Sequence, residues 1–128
     1  MNKKINSLLY IEDDLEVREN IAEYFQHNIE NVYLAADGAE GFEIFEKYKP
    51  QVVISDIAMP KLNGIELLKK IRKISATTHF IITTSFDDHE YLLDAVNLQI
   101  TNYILKPVSI IKLEKALKLC EEKFILTP

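Results

Sequence analysis

The 128-residue chain is short of several things that mark other classes of protein. It has one cysteine, no surplus of basic side chains, no internal repeat, no linker and no low-complexity segment. Cys120 alone cannot close an internal disulfide, and its place on an apolar helical stripe makes it a small core residue. Fifteen basic against twenty acidic side chains leave a net charge of −5, so direct nucleic-acid binding is not expected. No apolar run approaches the roughly 18 residues that a membrane helix needs, and no charged-then-apolar leader ends in a small-residue cleavage site. The expectation is a cytoplasmic protein without a membrane segment. His27, His79 and His89 have no metal-ligand spacing. What remains, 48% apolar and 27% charged residues, is ordinary for a folded domain, and the length suits one domain over 1–128.

The chain is organised around QVVISDIAMPKLNG, residues 51 to 64. Val52-Val53-Ile54 is short and β-branched, as in a strand buried on both faces, and it stops at Asp56. Pro60 and Asn63-Gly64 predict a turn that enters a helix at Ile65. Upstream, Ser7 to Ile11 reads as a strand ending at Glu12, Asp13 and Asp14, and the spacing of Val17, Ile21, Tyr24 and Phe25 predicts a helix from 14 to about 28. Residues 32 to 36 form a second strand with Asp37-Gly38 as its turn, and Phe42, Phe45 and Tyr48 mark a helix closed by Pro50. Downstream, Ile65, Leu68 and Ile71 share a helix face. Phe80-Ile81-Ile82 starts a strand that ends in Thr83-Thr84-Ser85, and Asp87-Asp88 offers an N-cap for a helix carrying Leu92, Ala95, Val96 and Leu98. Tyr103-Ile104-Leu105 halts at Lys106-Pro107, before a last helix with Ile110, Leu113, Leu117, Cys120 and Phe124 on one face.

Five strands alternating with five helices predict a doubly wound α/β fold, a parallel sheet covered on both faces. More than one strand order satisfies the handedness of the crossovers. In the order 2-1-3-4-5, Glu12, Asp13 and Asp56 meet at one crevice at the carboxyl edge, with Thr84 and Lys106 on the next strand ends. Carboxylates so gathered repel one another and need a neutralising partner. Mg²⁺ suits them, because it takes one or two carboxylates, keeps waters and leaves room for a phosphate oxygen. Asp56 could then act as a nucleophile toward a phosphoryl group, with Lys106 as a mobile point charge and Thr84 as a hydroxyl donor. Taken singly, Asp14 reads as a helix cap, Lys106 as a surface lysine and the hydroxyl run as a strand end.

The combination IEDD, DIAMPKLNG, TTS and YILKP resembles the receiver domain of two-component response regulators over essentially the whole chain. The resemblance implies the flavodoxin-like (βα)5 three-layer sandwich in order 2-1-3-4-5 found in chemotaxis regulators. It implies Asp56 as phosphoacceptor, and Glu12, Asp13, Asp56 and the Ala58 carbonyl as ligands for Mg²⁺ or Mn²⁺. Arg18 falls where the family's first helix often carries an arginine, which sets the acid pair as Glu12 and Asp13. Thr84 would be the switch hydroxyl, Lys106 the phosphoryl-binding lysine, Tyr103 the aromatic that moves with Thr84, and Lys106-Pro107 a cis peptide. The implied partners are a histidine kinase or phosphotransfer protein, an output domain or downstream protein, and a second copy through the face of helix 4, strand 5 and helix 5.

Two positions depart from what often steers water in that family: Ala58, which is apolar, and Phe86, which is bulky. Both imply slow self-dephosphorylation, within a signalling domain that catalyses only its own phosphoryl transfer. Tyr91, Tyr103 and Phe124-Ile125-Leu126 would lie on the output face. Two rival readings are a receiver-like interaction module that works without phosphorylation and a flavodoxin-like FMN binder. Fold maintenance does not require charges gathered together, which argues against the first. Three acids after strand 1 would repel the FMN phosphate, which argues against the second.

Overall fold

A computed structural model describes residues 5–59 and 61–126, with the side chains at 86, 89–92 and 123–126 outside that description. The elements alternate as β1 (Ser7–Ile11), α1 (Leu15–Asn28), β2 (Asn31–Ala35), α2 (Gly38–Tyr48), β3 (Val52–Asp56), α3 (Gly64–Ile74), β4 (His79–Thr84), α4 (His89–Asn97), β5 (Asn102–Leu105) and α5 (Ile110–Leu126). A 3-10 turn, Phe86–Asp88, leads into α4. The strands form one sheet in the order β2-β1-β3-β4-β5, and every pairing is parallel. This is the doubly wound flavodoxin-like arrangement expected from the sequence.

Alternation along the strands divides the core in two. Leu8, Tyr10, Val52, Ile54, Ile81 and Ile104 face α1 and α5, where Ile21, Phe25, Leu113, Ala116, Leu117 and Cys120 complete one cluster. Leu9, Val53, Phe80 and Ile82 face the other way, toward Phe45 of α2, Leu67, Leu68 and Ile71 of α3 and Ala95 of α4. β3 lies at the centre and all five of its residues are buried, which is why its apolar run is continuous.

Several local expectations shift. Strand β2 begins and ends one residue earlier than the apolar run suggests, and Asp37 is the extended N-cap of α2, its side chain accepting from the Glu40 N–H, rather than half of a turn. Strand β4 starts one residue earlier than expected, at His79, and stops at Thr84, which leaves Ser85 just outside it. Asn63-Gly64 is no dihedral turn either: no glycine has positive φ, and Asn63 caps α3 in a reciprocal capping box with Glu66. Gly64 is needed for close approach instead, since a Cβ there would lie 2.6 Å from the Asp56 carbonyl oxygen and 2.9 Å from Ile57 Cα. Val96, expected on the inner stripe of α4, is 56% exposed, because so short a helix turns only a narrow face, centred on Ala95, to the sheet. Leu92 and Phe124 have side chains outside the described residues.

Candidate functional site

The register sets three strand ends side by side. Ile11 pairs with Ser55 and Asp56 with Thr83, so Glu12, Asp56 and Thr84 leave the sheet along the same edge. Asp56 and Glu12 are buried, while Asp13 is exposed. Carboxylate oxygens of these three residues lie within 4.8 Å of one another. Glu12 is fixed from both ends: its N–H donates to the Ala35 carbonyl at 3.1 Å, its own carbonyl accepts from Arg18 Nη1 at 2.7 Å, and its Oε2 accepts from the Asp14 N–H at 3.1 Å. Asp14 stays out of the cluster and caps α1, its Oδ1 accepting from the Val17 N–H at 3.1 Å.

Opposite the acids, Lys106 Nζ donates to Asp56 Oδ2 at 2.6 Å. Lys106 reaches this point from the end of β5, where its N–H donates to the Thr84 carbonyl at 2.8 Å and the Lys106–Pro107 bond is cis. The Ala58 N–H makes a longer contact of 3.4 Å to Asp56 Oδ1. Thr84 is buried at the end of β4, but its hydroxyl donates to the Ser85 carbonyl at 3.2 Å. Tyr103 is 45% exposed and faces outward. The Phe86 and Tyr91 side chains and the segment Phe124-Ile125-Leu126, singled out in the sequence, fall where side chains lie outside the described residues. A cleft of about 670 Å³ opens beside the acids, lined by Glu12, Asp13, Asp14, Val17, Lys106, Pro107 and Val108.

The electrostatics follow from burial. Burial pushes the Glu12 carboxyl up to about 7, reinforced by its contact with Asp13 and opposed by the Asp14 N–H and Lys106. Asp56 also moves upward, because its burial outweighs the hydrogen bond from Lys106. Lys106, a third exposed at its side chain, moves upward for the opposite reason: burial lowers it, but the hydrogen bond and charge of Asp56 outweigh that. One ammonium thus faces three carboxyl groups, and the cluster is short of positive charge. An octahedral Mg²⁺ with oxygens at about 2.0–2.1 Å separates its ligands by about 2.9 to 4.2 Å. A set already within 4.8 Å, all oxygen and underneutralised, fits such an ion. Glu12, Asp13 and Asp56 are the described residues that would hold it.

The family model for the response regulator receiver domain matches residues 8–118. The chain belongs to that family. Among its relatives, an uncharacterized response regulatory protein of Staphylococcus epidermidis is 30% identical over 124 residues, covering 94% of this chain and 49% of the relative. The transcriptional regulatory protein HptR of Staphylococcus aureus is 32% identical over 106 residues, covering 80% of this chain and 41% of HptR. The receiver therefore spans about half the length, or less, of these curated relatives. Among solved structures, a response regulator receiver domain from Clostridium thermocellum superposes with a TM-score of 0.87 at 29% identity, covering 96% of this chain and 100% of that one. The REC domain of AraT from Geobacillus stearothermophilus gives 0.85 at 30% identity, covering 95% and 97%. Receiver domains are signalling domains of two-component systems, and among the described residues of this chain no helix is long and apolar enough to cross a membrane.

Sequence reasoning about the receiver missed some of what surrounds the acids. Asp88, expected to cap α4, makes no cap bond with its side chain, and its Oδ2 instead accepts from the Ser85 hydroxyl at 3.0 Å. Arg72 donates to the carbonyls of Thr78 (2.7 Å), Gln99 (2.8 Å), Leu98 (3.3 Å) and Ser75 (3.4 Å), tying the far end of α4 to α3. Nothing local in the sequence marks Arg72. For Asp88 the signal was its spacing from Ser85, three residues on, which suits a backward hydrogen bond as well as a forward cap.

Proposed function

We propose that this receiver accepts a phosphoryl group on Asp56 from a phosphohistidine of a histidine kinase or phosphotransfer protein. The observation that carries the reading is the ion pair between Lys106 Nζ and Asp56 Oδ2 beside the Glu12 and Asp13 carboxyl groups. An Asp56 carboxylate oxygen attacks phosphorus, a P–O bond forms as the P–N bond breaks, and the departing imidazole takes up a proton. Lys106 then turns from the carboxylate to a phosphoryl oxygen, as a flexible point charge can. Mg²⁺, or Mn²⁺ in its place, supplies charge neutralisation at the transferring oxygens when bound. Glu12, Asp13, Asp56 and the Ala58 carbonyl are its proposed ligands. Thr84 gives up the Ser85 carbonyl and donates to the phosphoryl group, while Tyr103 follows it inward. That movement reshapes the surface of α4, β5 and α5 for an output module, a downstream protein or a second copy, and the greater length of the relatives supports such an output.

Incubation with Mg²⁺ and a small phosphodonor, followed by intact-mass measurement, tests the reading. Wild type is expected to gain one phosphoryl group and Asp56→Asn none; a wild type that gains nothing, or a variant that gains as much, defeats it. Ala58 offers no polar side chain to hold an attacking water, and neither does Phe86, so the aspartyl phosphate is expected to be long-lived. Ala58→Asn and Phe86→Glu should shorten it, read as loss of the added mass over time.

A further inference from the structure

Just past the end of β4, the Ser85 donors are already engaged with a negative charge from this chain. The Asp88 carboxylate takes the Ser85 hydroxyl at 3.0 Å and the Ser85 N–H at 3.4 Å, both through Oδ2, and the Asp88 N–H returns a bond to the Ser85 carbonyl at 3.1 Å. That same Ser85 carbonyl holds the Thr84 hydroxyl. Asp88 occupies the N-cap position of α4 and yet makes no cap bond with its side chain, so its carboxylate is turned back toward β4 and away from the helix it precedes. β4 is the immediate neighbour of β3, with Thr83 opposite Asp56, so the engaged donors lie one and two residues past the level of the acceptor.

We propose that Asp88 is a positioning residue that acts as an internal stand-in for the phosphoryl group. Its carboxylate and a phosphoryl group are both anionic oxygen acceptors drawing on neighbouring donors past β4: the carboxylate holds the Ser85 hydroxyl and N–H, and the phosphoryl group calls on the Thr84 hydroxyl that the Ser85 carbonyl holds. The clasp holds Ser85, and through the Ser85 carbonyl it holds Thr84, in the resting arrangement. Phosphoryl transfer must open it. Because Asp88 directly precedes α4, opening the clasp also frees the first turn of that helix, which couples the chemistry at Asp56 to the surface beyond. The proposal rests on Asp56 as the acceptor.

The test is the initial rate of phosphoryl uptake from a small phosphodonor at saturating Mg²⁺, followed by intact mass, alongside the thermal midpoint and the Mg²⁺ concentration giving half the maximal rate. Asp88→Ala and Ser85→Ala are expected to take up phosphoryl about 3–10-fold faster than wild type, as loss of a competing charge-assisted hydrogen bond would allow. The Mg²⁺ requirement should stay the same, since the acids are untouched. Ser85→Thr, which restores a hydroxyl, should bring the rate back down from that of Ser85→Ala. Asp88→Asn keeps an acceptor without the charge and should fall between wild type and Asp88→Ala. If it equals Asp88→Ala while Ser85→Ala is unchanged, simple charge repulsion explains the rate and the clasp is overturned. Folded variants that react at or below the wild-type rate overturn it as well, and if Asp88→Ala fails to fold, Ser85→Ala decides. A wild type that gains no phosphoryl group removes the Asp56 reading and the clasp with it, whereas a reactive wild type with unaltered variants removes the clasp alone.

Discussion

The carboxyl ends of β3 and β4 lie next to each other, but they are held by different kinds of contact. After β3 the chain is gripped backbone to backbone: Gly64 N–H donates to the Ile57 carbonyl at 2.9 Å, Ile57 N–H to the Thr83 carbonyl at 3.0 Å, and there is no room for a Cβ at Gly64. From the far side α2 presses on the same loop, where a Cβ at Gly38 would come within 2.0 Å of the Leu62 carbonyl oxygen. An ion pair of 3.5 Å between Lys61 and Asp37 spans that contact. After β4, by contrast, side-chain hydrogen bonds among Thr84, Ser85 and Asp88 add to a single backbone bond from the Asp88 N–H to the Ser85 carbonyl, and the chain leads into a nine-residue helix whose Leu93 is 71% exposed. Rigid packing therefore surrounds Asp56, the proposed phosphoacceptor, and exchangeable hydrogen bonds surround Thr84, the proposed switch hydroxyl. Fixed geometry with an adjustable neighbour is what a phosphorylation switch needs.

The sharpest way to break that contrast is to add one methyl group to the rigid side. Gly64→Ala and Gly38→Ala each force a Cβ into backbone atoms that no side-chain rotation can move aside, at a cost of about 3 kcal/mol. Asp88→Ala, on the adjustable side, should cost no more than about 1 kcal/mol. Denaturant unfolding of the three variants measures the difference, and equal losses would show that both loops are held alike.

The strands were legible because burial on both faces leaves continuous apolar runs, and Val52, Val53 and Ile54 are all fully buried. The acids and lysine that meet at the strand ends were legible because strand ends are fixed once strand order is, whereas the Thr84 hydroxyl turns to the Ser85 carbonyl. What escaped was contact between segments distant in sequence. Gly64 read as a turn residue because its real constraint, the backbone of Asp56, is created only when α3 docks. Gly38 is constrained the same way by Leu62. Asp88 read as a cap because propensity says nothing about which way a short acid turns when a serine stands three residues before it. Val96 was misplaced because nine residues of α4 are too few to define a stripe by periodicity.

A smaller effect tests the rigid side through its charge. Glu12, raised to about 7 by burial, is the group that a proton and a divalent cation would contest. Its pKa in the folded chain lies above the unfolded value of 4.5, so the protonated form stabilises the metal-free protein. That contribution is full below about 4.5 and is lost as pH rises through about 7. Metal-free thermal stability should decline across that window, and Mg²⁺ should restore it at the alkaline end. Affinity for Mg²⁺ should weaken by up to about tenfold for each pH unit below about 7, as one proton is displaced per ion bound. Titration calorimetry at several pH values measures this, and Glu12→Gln should flatten the stability profile while weakening the ion. A pH-independent affinity would mean that Glu12 is already ionised in the metal-free protein.

The smallest effect on stability belongs to the surface of α4. Leu93 and Val96 on α4 are 71% and 56% exposed, and Tyr103 on β5 is 45% exposed. Replacing Leu93 or Val96 by serine removes no core contact, so unfolding free energy should change by no more than about 0.5 kcal/mol. If this face receives the signal, the same substitutions should weaken self-association of the phosphorylated protein by about tenfold or more, because apolar anchors carry most of an interface's energy. Sedimentation of wild type and variants, with and without phosphodonor, separates the two quantities. A phosphorylated wild type that stays monomeric would assign the face to a different partner or to none. Stability unchanged with association lost would place the fold's energy around β3 and its message on α4.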